Sequence, residues 1–182
     1  MNYLELAKQK FGKSKEVDYM LPFYHFVMDC YVRLNPCSYG MRIASKICID
    51  MGLPQVSSRL GLGDCMVGER AYEIKVSFLS QTDEYCITHI RMWQKFTHYV
   101  LCFVDCRDNF TPNFIVLNKF ELNKLNLGAM NNTKEANADN HNIELRVTIK
   151  KGSKEHNFLL RNNILDGTSY EDFRRYIKLV NK

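Results

Sequence analysis

Between residues 71 and 79 the chain alternates apolar and polar side chains with a period of two. Tyr72, Ile74, Val76 and Phe78 fall on one face, with Glu73, Lys75 and Ser77 on the other, the pattern of a strand with one buried face. A second alternation sets Ile143, Leu145, Val147 and Ile149 against Glu144, Arg146, Thr148 and Lys150, and predicts a half-exposed strand. The apolar stretches 99–106 and 114–117 predict a buried strand and a further short one.

Helical spacing governs other segments. Residues 20–34 hold Pro22 in a first turn and stop before Pro36, since a residue that precedes proline resists the helical region. Met41, Ala44, Ile47, Cys48 and Met51 recur at steps of three and four, and predict a helix over 40–51 that ends at Gly52. Short helical segments are expected at 2–11 and 120–125, a middle helix over 85–97, and a last helix from Tyr170 capped by Thr168 or Ser169. The Asn-rich stretch 128–142 predicts a mobile loop. This order of elements is that of a mixed α/β domain.

Composition narrows the classes. The chain has 182 residues, of which 46% are hydrophobic, enough for one buried core and too many for a disordered chain. The apolar run 99–104 falls far short of the roughly 20 residues that a bilayer needs. Lys8, Lys10, Lys13 and Lys15 interrupt any secretion segment at the start. The seven cysteines are odd in number and form no CxxC pair, so buried free thiols in a reducing cytoplasm are expected. Trp93 reads as a core residue.

The net charge is +5, with both ends of the chain basic and the middle third slightly acidic. An acidic, metal-binding centre flanked by basic surface for phosphates would give this distribution. Glu73 and Lys75 project from the same face of one strand. Asp64 lies upstream behind Gly61-Leu62-Gly63, and Gly68-Glu69 allow a turn, so an antiparallel return would place Asp64 beside Glu73. Two adjacent carboxylates repel unless a cation separates them, and Mg²⁺ takes oxygen ligands. Asp64, Glu73 and the backbone carbonyl of Ile74 are the candidate ligands. Lys75 would orient the attacking water and stabilise developing negative charge.

At these residues the chain resembles the PD-(D/E)XK nuclease superfamily and, within it, type II restriction endonucleases. The resemblance rests on Asp64, on Glu73-Ile74-Lys75 with Val76-Ser77-Phe78, on Ile87-Thr88-His89-Ile90-Arg91-Met92-Trp93-Gln94 followed by the strand from Tyr99 to Asp105, and on Phe114-Ile115-Val116-Leu117 with Glu121-Leu122. The family's proline before the first acid is absent, and Gly63 stands there. The resemblance implies a restriction-endonuclease-like core, a mixed sheet of about five strands flanked by helices. It also implies Mg²⁺-dependent hydrolysis of double-stranded DNA, with Asp64, Glu73 and Lys75 catalytic. Ser77, His89, Arg91 and Gln94 are the candidate DNA contacts, with positions 91 and 94 on one helix face. Some members add an acid from a preceding helix; Asp50, Glu5 and Glu16 are the acids available for that role. One domain is expected over 1–182, with an N-terminal helical segment (1–39), a catalytic core (40–165) and a C-terminal helix (166–182).

A catalytic core of this length leaves little chain for reading DNA sequence. The resemblance points to the cleavage subunit of a heterodimeric type IIS enzyme, cutting one strand beside a larger partner. A homodimer cutting a palindrome, a junction resolvase or repair nuclease, and a non-catalytic binding module remain open alternatives. Convergence of Asp64 and Glu73 separates the nuclease readings from the last.

Overall fold

The computed structural model describes residues 16–56, 60–130 and 143–181. The helix expected at 2–11, Glu5 and residues 131–142 of the loop expected over 128–142 lie outside them. Two helices come first, α1 (Phe23–Arg33) and α2 (Pro36–Met51). Pro22 sits one residue before α1, and its fixed φ suits the first turn. The second helix begins four residues before the expected start. Asn35 caps it by accepting the Ser38 N–H, and Pro36 fits the first turn where its missing N–H costs nothing. Gly52 ends the helix at φ 64°, a left-handed conformation that glycine adopts without strain.

Seven strands follow, β1 (Cys65–Val67), β2 (Arg70–Phe78), β3 (Glu84–Ile90), β4 (His98–Asp105), β5 (Thr111–Asn118), β6 (Gly128–Ala129) and β7 (Leu145–Lys150). The remaining helices are α3 (Lys119–Leu122), α4 (Lys154–Arg161) and α5 (Tyr170–Val180). Ser169 and Asp172 cap the start of α5 reciprocally. A mixed four-stranded sheet runs β1-β2-β4-β5, with β2 and β4 parallel and the other pairs antiparallel. The second sheet, β3-β7-β6, is antiparallel. The expected α/β architecture, a mixed sheet flanked by helices, is present; the mixed sheet has four strands, and three more strands form a second sheet.

The four-stranded sheet is covered on both sides. Tyr72, Ile74, Val100, Cys102, Val104, Phe114 and Val116 join residues of α1, α2 and α5 in one core. Tyr99, Leu101, Phe103, Ile115 and Leu117 face Tyr85, Ile87, Ile90, Val147 and Ile149 of the second sheet, with Leu159 of α4. The central strand β4 is therefore buried on both faces, which accounts for its unbroken apolar run. Burying each of its large side chains contributes roughly 1.5–3 kcal/mol.

Three segments depart from the expected elements, one of them Gly128–Ala129, which forms β6 inside the loop expected over 128–142. Residues 84–90 form strand β3, where a middle helix over 85–97 was expected. Ile87 pairs with Val147 and Ile90 with Leu145, so β3 spends one residue more than its partner across that step. This bulge breaks the period of two and spaces Ile87, Ile90 and Trp93 as a helix would. Trp93 is 44% exposed and lies outside the core. Helix α4 was not foreseen, although Ser153 caps it by accepting the His156 N–H.

Candidate active site

The hairpin β1–β2 sets the two acids side by side. Gly68, at φ 57°, makes its turn. The register Cys65↔Tyr72 puts Asp64 and Glu73 at the next step, just where β1 pairing ends. The Asp64 N–H donates to the Tyr72 carbonyl at 2.8 Å, and the Asp64 Oδ2 accepts the Ile74 N–H at 2.7 Å. Backbone N–H and C=O of one strand residue leave on the same side, so the Ile74 carbonyl shares this edge with Asp64. The hairpin register thus sets Asp64 beside Glu73, as the antiparallel return predicts.

Gly63 explains the missing proline. Its φ is +79°, whereas a proline ring holds φ near −65°. A Cβ at this position would lie 2.4 Å from the Tyr72 carbonyl oxygen. The chain reaches Asp64 through a turn that only glycine fits.

Glu73 is buried and Lys75 half-buried, with Lys75 Nζ 2.6 Å from Glu73 Oε1. Burial and the charge of Glu73 push the Asp64 carboxyl up to about 6, against the pull of the Ile74 N–H and the Lys75 charge. The site thus carries more negative charge than Lys75 balances. Its donors are carboxylate and carbonyl oxygens, the set that suits Mg²⁺. The residues present therefore fit such an ion, with Asp64, Glu73 and the Ile74 carbonyl as the holding groups. Among the described residues no group of three or more His, Cys, Asp or Glu side chains is placed to hold a metal ion. Asp50 does not join Asp64 and Glu73. It pairs with Lys46 at 2.5 Å and accepts the Tyr170 hydroxyl at 3.0 Å, tying α2 to α5. Glu16 is exposed, and its carbonyl accepts from Arg33.

These groups open into a cavity of about 460 Å³. Gly40, Met41 and Ala44 of α2 line it on the helix side. Ile87, Thr88, His89, Arg91 and Gln94 line it as well. His89, Arg91 and Gln94 are thus brought to the site, from a bulged strand and the turn after it instead of from a helix. Ser77 is not. It is 4% exposed, and its Oγ accepts the Cys86 N–H at 2.9 Å, fastening β2 to β3. Sequence reasoning missed Glu144, whose carboxylate lies 2.7 Å from both His89 Nδ1 and Arg91 Nε. Its only signal was its place on the polar face of the 143–149 alternation.

No family model, curated protein or solved structure matches this chain. Among the described residues no helix is long and apolar enough to cross a membrane.

Proposed function

We propose that the chain is a Mg²⁺-dependent endodeoxyribonuclease of the restriction type. One observation carries the reading: Asp64 and Glu73 stand side by side in one hairpin and line a cavity with Lys75, and burial and the charge of Glu73 raise the Asp64 carboxyl. Carboxyls disturbed by burial and by a like charge mark sites of function. A bound Mg²⁺ supplies positive charge at the phosphate and a readily ionised water. Asp64 and Glu73 hold the metal side of the cavity, and the Ile74 carbonyl supports them. Lys75, kept in place by Glu73, orients the attacking water and balances the charge that develops on the non-bridging oxygens. His89, Arg91 and Gln94 face the DNA backbone from the part of the lining that β3 and the turn after it supply.

The sequence-reading role falls to a partner, a larger subunit in the first instance, with this chain cutting one strand. The basic ends of the chain favour phosphate contact, which positions a nuclease on DNA without specifying a sequence.

The test is cleavage of plasmid DNA with Mg²⁺, alone and with candidate larger subunits. Glu73→Ala and Lys75→Ala are expected to abolish cutting while the fold survives. Full activity in either variant removes the mechanism, and efficient cutting of a palindrome by this chain alone removes the subunit role.

A further inference from the structure

The part of the cavity lining that β3 supplies is built around a backbone that most residues avoid. His89 sits in the β3 bulge at φ 52°, a left-handed conformation that is strained for a non-glycine residue. Its surroundings fix it there: the His89 N–H donates to Met130 Sδ at 3.3 Å, and the ring meets Glu144. The bulge turns His89 out of the β3 pleat so that it and Arg91 meet one carboxylate.

Glu144 precedes β7, and its carbonyl accepts the Met130 N–H at 3.0 Å. Its Oε2 holds His89 Nδ1 and its Oε1 holds Arg91 Nε, each at 2.7 Å. Burial alone would raise this carboxyl. The hydrogen bonds from His89 and Arg91 outweigh that effect and hold it below the usual glutamate range. Both contacts use the inner nitrogens. The imidazole Nε2 and the guanidinium Nη1 and Nη2 have no protein partner among the described residues, and both side chains line the cavity. A guanidinium fork with its outer nitrogens unspent matches two oxygens of a phosphate.

We propose that His89, Arg91 and Glu144 form a phosphodiester clamp. Arg91 and the imidazolium form of His89, which donates from both ring nitrogens, take the non-bridging oxygens of a DNA backbone phosphate, and Glu144 is the positioning residue that holds both side chains toward it. The clamp rests on the nuclease reading for the identity of its anion. It binds without metal and forms no covalent bond.

The test titrates the ¹⁵N-labelled full chain, in EDTA, with dimethyl phosphate as a phosphodiester probe. The Arg91 Nε–H and the His89 ring nitrogens are followed by NMR. Saturable shifts at both are expected in the parent. Glu144→Gln should weaken the apparent Kd by about tenfold, the loss that follows when one charge-assisted contact is no longer held in place. Simple charge arithmetic predicts the opposite, because that substitution removes a negative charge beside an anion site. Arg91→Lys keeps the charge without the fork and should weaken binding by a similar factor; it carries the test if Glu144→Gln fails to fold. Absence of saturable shifts in the parent, or unchanged or tighter binding in the variants, overturns the clamp. Plasmid cleavage by the same samples is scored separately. Shifts without cleavage remove the nuclease and leave the anion site, and cleavage without shifts removes the clamp alone.

Discussion

The Asp64 carboxylate accepts the Ile74 N–H at 2.7 Å, so the first acid is held by the strand that carries the second. Asparagine can keep that hydrogen bond and lose the charge. The folded-state carboxyl of Asp64 stands at about 6, above its ordinary value of 3.8, so the folded protein binds this proton more tightly than the unfolded chain. That contribution to stability is full below pH 3.8 and is lost as pH rises through about 6. Asp64→Asn should therefore exceed the parent in stability at pH 8 by about 2–3 kcal/mol, with the gap nearly closed at pH 4. Urea denaturation at the two pH values checks this, and equal gaps at both would falsify the assignment. Mg²⁺ should raise the melting temperature of the parent at pH 8 and leave the variant's unchanged.

Glu73→Gln removes the second of the two causes that raise Asp64, leaving burial as the first. The Asp64 carboxyl is then predicted to titrate below about 6 and still above its ordinary value of 3.8. Carboxyl ¹³C NMR reads this directly. An Asp64 titration that does not move separates the two side chains electrostatically and breaks the proposed metal pair.

Ser77→Ala should cost stability and spare DNA cleavage. Its hydroxyl accepts the Cys86 N–H at 2.9 Å, and removing it leaves that donor without its partner, a loss of roughly 1–2 kcal/mol. Denaturant midpoints and the plasmid assay give the two halves of the result. A variant that melts like the parent but binds DNA less tightly would return Ser77 to the DNA interface.

Gly63→Ala should be poorly tolerated. It forces a side chain into φ +79° and against the Tyr72 carbonyl, at a cost of roughly 1–3 kcal/mol for the conformation alone. Because Asp64 follows directly, cleavage should fall further than stability. Retention of full activity would show that Asp64 keeps its place without the tight turn.

The hairpin that carries Asp64 and Glu73 was legible because its contacts are local. Alternation over 71–79 fixed which face carries Glu73 and Lys75, and Gly68 marked the turn that returns Asp64 to them. The buried run of β4 and the capped helix at 170–180 were equally plain, since each rests on short-range patterns. What stayed hidden depended on pairing at a distance. The bulge at His89 disguised β3 as a helix, and with β3 misplaced nothing in the sequence could bring Glu144 to His89 and Arg91. Trp93 looked like core by size alone, because the turn that exposes it follows the same misread strand. Gly63 looked like a departure from a motif until its φ showed why proline cannot stand there.

The hairpin and β3 parts of the cavity lining also differ in the length of chain each must close. Asp64 meets Ile74 across 10 residues, whereas Arg91 and His89 meet Glu144 across 53 and 55. Closing the longer loops costs about 1.5 kcal/mol more in chain entropy. The acid hairpin is thus expected to assemble early in folding and the β3 part of the lining late. In the native state the same order runs in reverse: amide exchange near Arg91 and Glu144 should outpace that of Ile74, so that the cavity opens from one side only.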